Sequence, residues 1–417
     1  MNKEQSEAVA AAEKKLADKF EKIDRTATFN TEKVLRAFWN EQISEPMLHG
    51  TTGYGYDDRG RDALDRVFAE VFGAEDALVR HNFISGTHVI ATALYAILRP
   101  GDTLYAVTGD PYDTLLETIG VYKTSDDPGS LADFGIKYRK TELKEDGSPD
   151  FDEIKKILSE DKTVKMVFIQ RSRGYTQRPT LSLEKIEEIT KAVKEVSDAV
   201  IFVDNCYGEF VCEKEPTEIG ADLMGGSLIK NPGGGLALTG GYIAGNRDLV
   251  EKCAYRLTAV GLGKEGGATH SQLRNMFQGF FMAPHTVAQA KKTALLASQL
   301  FYDAGYKVSP LPSEDSEDII QTVVLGTPEK LIDFCKGIQA GAPIDSYAVP
   351  EPCPMPGYAD EVIMAAGAFV SGASIELSAD APMRPPYRVY FQGGLTYESG
   401  KIAICKALET LQRKEAE

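Results

Sequence analysis

No run of 18 apolar residues occurs in the chain, and the most apolar long stretch, His88 to Leu98, is interrupted by Thr92. A helix built from that stretch is too short to span a bilayer. Basic residues are in deficit: 46 Lys and Arg stand against 62 Asp and Glu, a net charge of −16. Contacts to a phosphate backbone need a basic face, so a nucleic-acid partner is not expected. Cysteine is sparse and scattered (206, 212, 253, 335, 353 and 405), with no C-x-x-C. A zinc site or a disulfide framework finds no support, and reduced, mostly buried thiols are expected. The five histidines (49, 81, 88, 270 and 285) form no H-x-x-x-H or H-E-x-x-H pattern, so no metal site is expected. The N-terminus "MNKEQSEAVAAAEKKLADKF" is polar and charged, unlike a secretory leader. A cytoplasmic protein with no membrane partner is the expectation.

The chain has 417 residues, 43% of them hydrophobic and 26% charged, an ordinary globular balance with room for two domains. Val9, Leu16, Phe20 and Ile23 sit near helical spacing, which predicts a helix over 3–24. Asn30 and Thr31 suit the cap of a second short helix carrying Val34, Leu35, Phe38 and Trp39. "HGTTGYGYDDRGR" (49–61) reads as a glycine-rich loop, and 62–72 returns to helical spacing. Strands are then predicted at 76–80, 102–109, 164–170, 199–205 and 241–246. Helices are predicted at 86–98 and, behind a Ser182 cap, at 182–197. This alternation indicates an α/β fold with a mostly parallel sheet covered on both faces. A long helix near 283–304 leads to an α+β pattern: "QTVVLG", a helix over 329–339, "SGASIELS", "YRVYFQGG" and a final helix over 399–415. The expected organisation is a helical arm (1–50), a large α/β domain (51–290) and a smaller α+β domain (291–417).

One lysine, Lys230, stands alone in "GADLMGGSLIKNPGGGLALTGGYIAGN" (220–246). A phosphate-binding P-loop needs glycine immediately before the lysine and Ser or Thr after it. Here Ile229 and Asn231 occupy those places. A dinucleotide-binding G-x-G-x-x-G between strand and helix is also missing. A lysine for covalent carbonyl chemistry must be deprotonable, and no Asp or Glu lies between Asp222 and Asp248. Small neighbours let a planar cofactor approach the backbone. Upstream, "VIFVDNCYGEF" ends a buried strand in Asp204, at the usual ligand crevice of such a sheet. Pyridoxal 5′-phosphate (PLP) needs such an acid to keep its ring nitrogen protonated. Ser85, Gly86 and Thr87 open a helix after a strand, where free amides suit a phosphate; a plain capped helix reads the same way. Tyr112, in "VTGDPYDT", follows another strand end.

"GYGYDDRGRDALD", "ISGTH", "GDPYDTL", "IQRSRGY", "VDNCYGEF", "GGSLIKNPGGG", "FQGFFMAPHTV" and "RPPYRVYFQGGLTYE" together resemble the cystathionine β-lyase-like family associated with aluminium resistance, also called a methionine γ-lyase family. The resemblance spans nearly the whole chain. It implies a fold-type I PLP enzyme of the Cys/Met-metabolism branch, acting as a carbon–sulfur lyase on a small-molecule amino acid. Lys230 is then the Schiff-base lysine, Asp204 the partner of the ring nitrogen and Tyr112 the stacking and acid–base tyrosine. Ser85, Gly86, Thr87 and Ser227 are the phosphate ligands. A Tyr-x-Arg that reaches over from a neighbouring subunit has its nearest counterpart in Tyr54 or Tyr56 with Arg59 or Arg61, implying a homodimer or homotetramer with shared active sites. Arg384, with Arg388 as second choice, is the expected clamp on the substrate carboxylate. Arg173 is the candidate neighbour of the ring hydroxyl. Transamination on the same scaffold, or a catalytically silent protein acting in metal tolerance, remain alternative readings.

Overall fold

A computed structural model describes residues 1–122, 126, 128–355, 358 and 360–415. The N-terminal helix α1 (Lys3–Asn40) leads to α2 (Arg59–Val71), β1 (Asp76–Arg80) and α3 (Gly86–Ile97). Next come β2 (Thr103–Ala106), α4 (Asp113–Ile119), β3 (Lys137–Lys140), α5 (Phe151–Glu160), β4 (Val164–Gln170) and α6 (Leu183–Lys194). β5 (Val200–Asp204), β6 (Leu223–Ser227), β7 (Gly241–Gly245), α7 (Arg247–Leu257) and the long α8 (Leu273–Asp303) complete the larger unit. The remainder holds β8 (Lys307–Ser309), β9 (Ile320–Val324), α9 (Pro328–Gly341), β10 (Val362–Ala365), β11 (Ser378–Pro382), β12 (Arg388–Gln392) and α10 (Tyr397–Glu415).

Seven strands form one sheet in the order β1-β7-β6-β5-β4-β2-β3, in which β2 to β6 are mutually parallel and β7 runs against both its neighbours. Successive side chains of a strand point to opposite faces, and both faces are apolar. In β4, Val167 and Ile169 enter one core with α2, α5, α6 and α8. Met166 and Phe168 enter the other, beneath α3, α4 and α7. Such double coverage explains why these strands read as continuous apolar runs. The other sheet, β10-β11-β12-β9-β8, is wholly antiparallel and packs with α9 and α10 in a third core. Helix α8 belongs to both units. Its Met276, Phe280 and Val287 sit in the first core, whereas Leu296, Leu300 and Phe301 sit in the third.

Two expectations change. The pair of N-terminal helices is one 38-residue helix, because nothing between Asp24 and Asn30 breaks it. Asn30 is no cap: its side chain points sideways, donating to Phe210 O (3.2 Å) and Cys212 O (2.9 Å). The real cap is Asn2, in a reciprocal capping box with Gln5. "SGASIELS" is mostly loop, with β11 starting only at its last residue, Ser378. Glu376 holds the loop by accepting from the amides of Phe369 and Val370 (2.7 and 2.8 Å). Among the described residues no helix is long and apolar enough to cross a membrane.

Asn30 is 2% exposed, so removing its amide strands one buried and one part-buried carbonyl. Asn30→Ala is expected to lower unfolding free energy by about 2 kcal/mol, read from the denaturant midpoint at unchanged slope.

Candidate active site

The parallel strands deliver their carboxyl ends to one edge of the large sheet, and a cavity of about 470 Å³ opens there against the small sheet. Asp204 is the last residue of β5, Ser227 the last of β6 and Gln170 the last of β4. Ser85 caps α3, its hydroxyl accepting from His88 N–H at 3.1 Å. Val89 N–H is the first of that helix to reach a backbone carbonyl, Ser85 O. The amides of Gly86 and Thr87 therefore precede the helical ladder. Tyr112 caps α4, pinned by its amide to Gln170 Oε1 (2.9 Å) and by its hydroxyl to Thr87 Oγ1 (2.9 Å). Lys230 follows β6 by three residues, and its Nζ lies 4.0 Å from the centre of the Tyr207 ring. Seven of the residues predicted from the large domain — Ser85, Gly86, Thr87, Tyr112, Asp204, Ser227 and Lys230 — line this one cavity.

Burial governs the electrostatics. Asp204 is 5% exposed, and desolvation raises its carboxyl while Lys230 and the Cys206 amide (3.1 Å) oppose the rise. Burial alone would depress the Lys230 ammonium, but Cys206, Tyr207 and Asp204 together hold it well above the usual lysine value. Burial pushes the Cys206 thiol and the Tyr207 phenol upward too, so both are neutral at neutral pH. Lys230 and Asp204 favour each other's charged form across the cavity, against the cost of burying both. The isolation of Lys230 in sequence does not leave it without acids in space, although among the described residues it makes no ion pair within 4 Å. Burial also raises Tyr112, followed by the effect of Asp204, so its hydroxyl keeps its proton.

The glycines after Lys230 serve packing rather than access. A Cβ on Gly233 would lie 1.6 Å from Leu228 O, and Gly234 (φ +55°) faces Gly279 O of α8. Neither lines the cavity. Other predicted residues point elsewhere. Arg173 is buried with Nη1 on Ser309 Oγ (3.1 Å), outside the cavity wall. Arg388 reaches Thr322 Oγ1 (3.4 Å); it shares a face of β12 with Tyr390 and Gln392, which line the cavity, but does not line it itself. Arg384 does line it, half-exposed and paired to Asp360 at 3.0 Å. Tyr54 and Tyr56 stack on each other at the surface, Arg59 is exposed, and Arg61 is buried on Gly55 O; none meets this chain's own cavity.

Several lining residues escaped prediction. Cys206 and Tyr207 follow Asp204 directly, and Tyr207 has φ +73°, a left-handed backbone that sets its ring beneath Lys230. Tyr175 stands between Tyr358 and Tyr390 (5.5 and 5.0 Å between ring centres), forming an aromatic wall. Asp380 of β11 has its carboxyl raised to about 7 by burial. An acid flanked by small residues in "SADAP" was the available signal for it.

An open α/β sheet with a single antiparallel strand, a small antiparallel sheet and a buried Asp–Lys cavity at the carboxyl edge define the fold of type I PLP enzymes. The PLP-dependent protein YhfS of Escherichia coli has the same fold, with a TM-score of 0.61 at 15% identity over 94% of this chain and 97% of that one. The chain belongs to the methionine gamma-lyase family, whose model matches residues 5–412. It is 48% identical over 394 residues to the uncharacterized protein YnbB of Bacillus subtilis (strain 168), covering 94% of this chain and 93% of that one. A solved structure of a carbon-sulfur lyase involved in aluminum resistance from Clostridium novyi NT is 50% identical, with a TM-score of 0.94 over 98% and 96% of the two chains.

Behind the Lys230 loop, Glu209 is wholly buried and accepts from Tyr242 OH (2.9 Å), while its Oε2 finds no partner among the described residues. Burial raises it from 4.5 to about 8. The folded chain thus keeps a proton that the unfolded chain releases near 4.5, so stability falls as pH rises between those values. Glu209→Gln, which cannot titrate, is expected to gain stability over the natural chain from about pH 5 to about pH 8, by on the order of 4 kcal/mol. Parallel thermal melts across that range check it.

Proposed function

We propose that the chain is a PLP-dependent carbon–sulfur lyase that eliminates a thiol from a sulfur-containing amino acid. The observation that carries this reading is the meeting of an amine, a buried carboxylate, a tyrosine ring and a helix start in one cavity. That donor set fits PLP part by part. Asp204 suits the ring nitrogen and Tyr112 the ring face. The Gly86 and Thr87 amides with the Ser85, Thr87 and Ser227 hydroxyls suit the phosphate. The cofactor, when bound, supplies an electron sink for negative charge at the substrate Cα.

The chain's own groups do the rest. Arg384, on the rim, holds the substrate carboxylate, exchanging its Asp360 partner for a bidentate pair. Lys230 Nζ, once it has given up its own proton, is the base that takes the proton from Cα. Tyr112, kept protonated by burial and by Asp204, has a proton to give the departing sulfur. Asp204, drawn toward its ionised form by Lys230, holds the proton of the ring nitrogen. The apolar tyrosine wall keeps water from the reacting carbon. The exposed Tyr56 and Arg59 are proposed to serve a partner's cavity in a homodimer or homotetramer.

Purified protein given PLP is expected to show a visible absorbance band, and borohydride is expected to fix the cofactor on the peptide that contains Lys230. Lys230→Ala loses both. Asp204→Asn keeps the fold but is expected to lower kcat by about two orders of magnitude. Release of thiol, ammonia and a 2-oxo acid supports elimination; accumulation of the amine form of the cofactor would support transamination instead.

A further inference from the structure

Three buried side-chain atoms on one wall of the cavity find no hydrogen-bond partner among the described residues: Ser374 Oγ, Ser378 Oγ and Asp380 Oδ1. The wall comes from the small sheet, whereas Lys230 and Asp204 come from the large one. Register explains the grouping. Ser378 pairs with Gln392 and Asp380 with Tyr390, and residues two apart on a strand share a face, so all four side chains turn to the cavity. Asp380 uses one oxygen to accept from Gln392 Nε2 (3.0 Å) and leaves the other open. It makes no ion pair among the described residues; the nearby Arg384 is paired to Asp360.

A buried carboxylate with an open oxygen, eased by the field of Lys230 but paired with no cation among the described residues, is costly unless something arrives to satisfy it. Ionised, it can only accept. Beside two hydroxyls that can accept as well, it makes a pocket for a group rich in N–H donors. On the lyase reading above, the reacting amine of the substrate is committed to the Lys230 side and its carboxylate to Arg384. The group left to meet Asp380 belongs to the sulfur-bearing arm. We infer that Asp380, with Ser374 and Ser378, determines specificity for the leaving thiol, and that this thiol carries an ammonium. The inference rests on the lyase reading for the placement of the other two substrate groups.

Two near-isosteric probes test it: S-(2-aminoethyl)-L-cysteine and S-propyl-L-cysteine, which differ by an ammonium in place of a methyl. The PLP-loaded enzyme is expected to favour the aminoethyl compound by about tenfold or more in kcat/KM. Asp380→Asn, which can still accept from Gln392, is expected to bring the ratio to about one while leaving the S-propyl rate within about twofold. Ser378→Ala, a milder change, is expected to reduce the preference partway. Dissociation constants measured by calorimetry in PLP-loaded Lys230→Ala, with and without Asp380→Asn, are expected to show the same preference without turnover. A preference that survives in Asp380→Asn, its absence in the natural chain, or an equal fall for both probes overturns the inference; the last outcome makes Asp380 part of the common chemistry. If neither probe is turned over but the binding preference exists and depends on Asp380, recognition of an ammonium at Asp380 stands, while the lyase reading and with it the leaving-thiol role fail.

Discussion

Asp204 and Lys230 stand at the ends of neighbouring strands, both out of water, and each tempers the burial of the other. Burying two ionisable groups is costly, and each eases the charged form of the other. The surrounding architecture answers to that constraint. The Cys206 amide turns back onto Asp204, and the left-handed Tyr207 lays its ring against the lysine. Gly233 and Gly234 let the lysine loop press against α8 where any side chain would collide with a carbonyl. These features hold a reactive amine at a defined place within a cavity that would otherwise reject its charge.

The sequence was most legible where function depends on strand ends. In a parallel sheet every carboxyl end reaches the same edge, so Asp204, Ser227, Tyr112 and the start of α3 converge without any knowledge of tertiary detail. Direction was less legible than identity. Arg173 and Arg388 were recognisable as cations near the site, but one turns to Ser309 and the other to Thr322. Tyr56 and Arg59 turn outward for a similar reason: where a loop side chain points is set by what packs against it. Asp380 was hidden because its exposure to the cavity follows from pairing with Tyr390, a register that joins strands of no distinctive local pattern. The glycines after Lys230 were visible, yet their reason was not, since α8 lies more than forty residues away in sequence. The N-terminal helix shows the reverse error. Asn30 looked like a boundary because asparagine is a good cap, but tertiary hydrogen bonds to the segment after β5 claimed its side chain.

Helix α8 enters the large unit at Leu273 and leaves the small one at Asp303, 31 residues and roughly 46 Å without interruption. A flexible linker would let the two halves of the cavity swing apart, but a helix whose flanks are packed into both cores acts as an axle. Relative movement of the small sheet must then take the form of slight sliding or bending along that shaft, with Pro284 as the one site inside it where a backbone hydrogen bond is already missing. The gap between the lysine wall and the Asp380 wall is consequently a dimension built in as the chain folds. Selectivity would arise from a gauge of set width, to which the incoming molecule must conform.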